Sequence, residues 1–116
     1  MIKENLQTIL AEIENAKARR TLVAKDEPVK LIAVTKNHDV AAMREAIDAG
    51  ATDIGENRIQ EAKEKYKVLD RKVVWHLIGH LQTNKAKYAV KYFDLIHSVD
   101  SEHLALAINN EAAKLN

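Results

Sequence analysis

The chain has 116 residues, 47% hydrophobic and 30% charged, a balance that suits one compact domain and is too short for two of ordinary size. Eighteen basic against seventeen acidic residues leave a net charge of +1, which gives no electrostatic ground for nucleic acid or an anionic membrane as partner. With no cysteine there is neither a disulfide framework nor a thiolate zinc site, and 4% aromatic content is too little for a base-stacking platform.

The opening "MIKENLQTILAEIENAK" carries charges throughout and lacks the apolar core of a signal peptide. No run approaches the roughly 18 apolar residues of a membrane span, so a cytoplasmic protein is expected. Residues 3–20 place Leu6, Ile9, Leu10, Ile13 and Ala16 at helical spacing, predicting an amphipathic helix. "TLVAKDEP" leads out of it, and Pro28 marks a loop. "VKLIAVTK" is rich in β-branched residues and apolar on both parities, the pattern of a parallel strand covered on both faces.

"DVAAMREAIDAG" repeats Val40, Met43 and Ile47 on one helical face, with Asp39 as N-cap and Gly50 as C-terminal stop. A second cycle follows, with strand "TDIGEN" and helix "RIQEAKEKYKVL". The third is "VVWHLIGHL" then "NKAKYAVKYF", and the fourth "DLIHSVD" then "SEHLALAINNEAAKL", with Ser101 as N-cap. One helix followed by four strand–helix units predicts parallel strands with right-handed crossovers in a single domain over 1–116. A small open α/β sheet and part of a (β/α) barrel both satisfy this pattern.

In parallel α/β architectures ligands bind outside the carboxyl ends of the strands. Those ends carry Lys36, then Glu56 and Asn57, then Gly79 and His80, then Ser98 and Asp100. Alternation puts Lys36 on the face of Val34, Asn57 on that of Gly55, and His80 on that of Ile78 and His76. If those faces line a barrel interior, Lys36, Asn57 and His80 meet at one mouth. Lys36 then has two readings. One is a solvated lysine at a strand end. The other is a partly desolvated amine whose neutral form condenses with a carbonyl compound. Asn57 has a competing role as a helix cap.

His76 and His80 have helical metal-ligand spacing, but their apolar flanks predict a strand, where four residues span roughly 13 Å and exclude one shared ion. His38, His97 and His103 show no ligand spacing, and His76 and His97, inside apolar runs, are expected to be hydrogen-bonded core residues. No metal site is expected. The basic cluster "NKAKYAVK" reads as a solvated helix face, with a second reading for Lys85 as an attractor of anions at the helix start.

"LIAVTK", "DIGENRIQEAKEK", "WHLIGHLQTNK" and "IHSVDS" resemble, in the same order, the pyridoxal phosphate homeostasis proteins of the YggS/PROSC type. The resemblance implies about half of an alanine-racemase-like TIM barrel. It implies pyridoxal 5′-phosphate bound as a Schiff base on Lys36, with Asn57 beside the cofactor and His80 and Ser98 near the pocket. It also implies a carrier or regulator of vitamin B6 supply without an established reaction. The competing readings are a pyridoxal phosphate barrel enzyme of the racemase or decarboxylase type, and a plain assembly module. An enzyme needs an acid–base group opposite the lysine, whereas Tyr66, Tyr88 and Tyr92 fall in predicted helices.

Family members are about twice this length, and nothing here matches their serine- and glycine-rich phosphate-binding segments. A half barrel has two open sheet edges and an uncovered inner face. The chain is therefore expected to pair with the complementary half or with a second copy. Its hold on the cofactor is expected to be weak enough that the cofactor is absent.

Overall fold

The computed structural model describes residues 1–115. Its elements are α1 (Ile2–Arg19), β1 (Ala33–Val34), α2 (Val40–Asp48), β2 (Asp53–Glu56), α3 (Ile59–Val68), β3 (Val74–Leu77), α4 (Ala86–Tyr92), β4 (Leu95–Ile96) and α5 (Glu102–Leu115). A short 3₁₀ turn at Thr83–Lys85 leads into α4. The four strands form one sheet in the order β1-β2-β3-β4, every neighbouring pair parallel.

The boundaries follow local chemistry. Asp39 caps α2 by accepting from the Ala42 amide at 2.9 Å, and Ser101 caps α5 by accepting from the Leu104 amide at 3.1 Å. α2 stops at Gly50, whose φ of +122° an L side chain rarely adopts. The Gly50 amide donates to the Ile47 carbonyl and the Ala51 amide to the Ala46 carbonyl, closing a Schellman motif. The outer strands are shorter than their apolar runs predict, because each edge strand has only one neighbour to pair with.

Register decides what each face of the sheet carries. Ile54 pairs with Trp75, and Leu77 with Ile96. Ile54, Trp75 and Leu77 pack under the helices with Met43, Ala62, Leu81, Ala89, Phe93 and Leu104. Tyr66 bridges Trp75 and Tyr92 at ring-centroid distances of 5.4 and 5.3 Å, and Phe93 meets Trp75 edge-on at 6.5 Å. Helices pack as neighbours, α1 on α2, α3 on α4 and α4 on α5.

The other face aligns Val34, Gly55, His76 and Leu95. Among the described residues no helix covers it, and Val34 and Leu95 are 49% and 50% exposed. The expectation of strands covered on both faces is thus met on the helix side alone. Ile32 and Ile78 both close in on Gly55, since a Cβ there would lie 3.1 Å from each.

Candidate functional site

The carboxyl end of β1 is built by a tight turn. The Thr35 amide donates to the Gly55 carbonyl at 2.9 Å, one residue beyond the paired strand, and the His38 amide returns to the Thr35 carbonyl at 3.1 Å. Asn37 takes the left-handed conformation, φ 65°, that asparagine tolerates better than most residues. Lys36 sits inside this turn. Thr35 is buried on the helix side, so alternation sets Lys36 on the open face. Lys36 is exposed. The expectation of a poorly hydrated amine is not met within residues 1–115, where the Lys36 side chain is exposed.

The residues flanking Lys36 are held from beneath by a buried ionic cluster. The Lys65 ammonium, on α3, donates to the Thr35 carbonyl at 2.8 Å and lies 2.9 Å from Glu56 Oε2 and 2.8 Å from Glu61 Oε2. Its three N–H groups thus have three acceptors. Glu56, fully buried, also accepts from the Thr35 hydroxyl, and Glu61 accepts from the Asn37 amide at 2.7 Å. The hydrogen bond from Lys65 holds the Glu61 carboxyl below its usual range, against the opposing effect of burial. One residue before Lys36 and one after are therefore tied to α3.

Asn57 and His80 line one cleft between the loops after β2 and β3. The two loops touch backbone to backbone, for a Cβ on Gly79 would lie 2.6 Å from the Asn57 carbonyl oxygen. Asn57 does not cap α3: Arg58 holds the N-cap position and no side chain caps it. Lys36 is not among the residues lining that cleft. Ser98 follows β4, and its hydroxyl is buried with no partner among the described residues. The structure brings Asn57 and His80 together and leaves Lys36 and Ser98 outside their cleft. Glu56, grouped with the strand-end residues by sequence, faces the helices instead. Asp100 is exposed.

A second polar chain crosses the open face lower down. Asp53, fully buried, accepts from Thr52 Oγ1 at 2.6 Å and meets His76 Nε2 at 2.7 Å and the Lys30 ammonium at 3.3 Å. Burial alone would raise its pKa. The hydrogen bonds from Thr52, His76 and Lys30 outweigh that effect and hold the carboxyl below its usual range. An ionised carboxylate only accepts, so His76 Nε2 carries the hydrogen. His76 Nδ1 then lies 2.8 Å from His97 Nε2. His76 is buried and hydrogen-bonded, as its apolar flanks predict, while His97 is hydrogen-bonded but exposed. Among the described residues no three His, Asp or Glu side chains converge as a metal-binding set, and no helix is long and apolar enough to cross a membrane.

Sequence reasoning singled out neither Lys65 nor Asp53. A signal for each was present. Glu56 shares strand parity with Ile54, and a carboxylate at a buried position demands a cation. Asp53 precedes Ile54 in a strand whose four residues are all buried.

A four-stranded parallel sheet with helices on one side defines one half of a (β/α) barrel. Residues 5–116 match the alanine racemase N-terminal domain, and the chain belongs to that family. It is 34% identical over 117 residues to a pyridoxal phosphate homeostasis protein of Vibrio alginolyticus, covering 95% of this chain and 48% of the relative. Identity to the protein of the same name in Aquifex aeolicus is 39% over 114 residues, covering 97% and 49%. Among solved structures it superposes on PipY of Synechococcus elongatus with PLP bound, with a TM-score of 0.82 and 43% identity. That match covers 99% of this chain and 50% of PipY. The chain spans about half the length of the curated relatives it matches.

Proposed function

We propose that this chain contributes the lysine-bearing half of a pyridoxal phosphate-binding barrel that serves vitamin B6 homeostasis. The observation that carries the reading is the Lys36 turn. An exposed amine stands at the carboxyl end of β1, and both neighbours in the chain are fixed by Lys65, Glu56 and Glu61. Such an amine, once neutral, condenses with an aldehyde to give a Schiff base and water. The residues present fit the group. Lys36 is reachable, Asn57 is not committed to a helix cap, and the Ser98 hydroxyl lacks a partner among the described residues. We assign Asn57, His80 and Ser98 to the surroundings of the cofactor. When bound, the cofactor supplies a reactive carbonyl; this chain supplies its anchoring amine and holds that amine's backbone still.

The role is that of a non-catalytic carrier or regulator in a cytoplasmic setting. A racemase or decarboxylase needs an acid–base group facing the lysine; Tyr66, Tyr88 and Tyr92 lie on α3 and α4 and the chain has no cysteine, so the complementary half would have to supply that group. The half-exposed Val34 and Leu95 and the unpaired outer edges of β1 and β4 support a further half barrel seated on the open face. That partner is a segment like the remainder of the relatives or a second copy. Sedimentation with and without the complementary segment tells the two apart.

The test is a spectral titration of the chain, alone and with a complementary half barrel added, with pyridoxal phosphate. A saturable imine absorbance band that Lys36→Ala abolishes supports the reading. A band of equal strength in Lys36→Ala, or none in either form, defeats it.

A further inference from the structure

The cleft that holds Asn57 and His80 has a chemistry of its own. It measures about 450 Å³, within the range of small-molecule sites. One wall carries Arg58 and Lys63, the other His80, Gln82, Lys85 and Tyr88, and among the described residues no carboxylate lines it. Among the described residues Arg58, Lys63 and Lys85 form no ion pair. The neighbouring acid, Glu61, is turned to Lys65 and to the Asn37 amide. Glu61 still feels the Arg58 charge, but no carboxylate reaches ion-pair distance of the three cations among the described residues, and together they focus a positive potential into a concave site. The walls are also fixed relative to one another. The contact of Gly79 with the Asn57 backbone leaves no room even for a methyl group, and Leu81 beside it is 2% exposed. The site is a preformed cleft, not a set of independent surface lysines.

We propose that this cleft binds a small phosphorylated anion, at a site separate from Lys36. Arg58 offers a planar fork of donors, and Lys63 and Lys85 offer point charges from opposite sides, which suits a tetrahedral dianion more than a planar carboxylate. Gln82 and Tyr88 add neutral donors. Lys36 lies outside the lining, so occupancy of the cleft does not require the lysine to be modified. The inference shares Asn57 and His80 with the proposed surroundings of the cofactor and differs from that reading in requiring no bond to Lys36.

The experiment is a nuclear magnetic resonance titration of the whole chain with inorganic phosphate at constant ionic strength, with chloride and succinate as parallel arms. The expected result is saturable shifts at the amides of 57–60 and 80–85 with phosphate, weaker binding of succinate, and none of chloride. Each lost charge-assisted contact costs roughly tenfold in affinity, so Lys63→Ala/Lys85→Ala weakens phosphate by roughly a hundredfold while Lys36→Ala leaves it unchanged. Arg58→Gln, at an exposed position, is a second variant that should weaken binding roughly tenfold without perturbing the fold. Shifts that do not saturate, that map elsewhere, or that survive these substitutions overturn the proposal. Succinate bound as tightly as phosphate overturns the phosphoryl assignment.

Discussion

Lys65→Met removes the cation beneath the Lys36 turn and leaves its acceptors in place. Glu56 is fully buried, so its carboxylate would lose its counter-charge without gaining water. Breaking a buried pair by deleting one partner costs about 3–5 kcal/mol, a large share of the roughly 5–15 kcal/mol that stabilises an ordinary domain. The Thr35 carbonyl loses its donor as well, and Glu61 loses the ammonium that steadies it against the Asn37 amide. Equilibrium urea unfolding measures the cost. Lys65→Met/Glu56→Gln should recover part of it, because the orphaned charge is gone, while the turn stays loosened. A loss below about 1 kcal/mol in the single variant, the range of an exposed ion pair, would refute the account of a buried cluster.

Further expectations rest on other residues. Asp53 has a folded-state pKa below its usual value of about 3.9, so its contribution is present above that pH and is lost as pH falls through the lowered value. Acid unfolding of Asp53→Asn should therefore show a flatter dependence over that window, and an unchanged slope would remove Asp53 from the explanation. Gly79→Ala drives a methyl group onto the Asn57 carbonyl and should cost about 1–3 kcal/mol in thermal unfolding, with shifted amide resonances at residues 57–60. Gly50→Ala meets no atom within 4 Å, so its cost, about 1–3 kcal/mol, comes from the backbone conformation alone and should leave resonances around Asn57 unmoved.

The element order was legible because short β-branched apolar runs alternate with period-3.6 apolar patterns. Asp39, Gly50 and Ser101 marked boundaries that their hydrogen bonds and φ angle bear out. The extent of β1 and β4 was not legible, since an apolar run does not reveal how many neighbours it will have. Nor was the partner of Glu56. Lys65 looks like any helix lysine until α3 is laid across β2. Likewise the link of Asp53 to His76 and His97 depends on strand register, which three separate segments do not disclose one by one. Lys36 stood out as a polar end to an apolar run. Its exposure, and the separation of Asn57 and His80 into their own cleft, emerged only from the fold.

The central claim is that the Lys36 amine anchors the cofactor. Borohydride fixation of pyridoxal phosphate on the chain, with its complementary half barrel present, followed by peptide mapping reads this directly. The account predicts that the label concentrates on Lys36 at low reagent concentration and that Lys65→Met, with its turn untied, loses much of that preference. Label spread evenly over the exposed lysines, or gathered on a lysine other than Lys36, would contradict it.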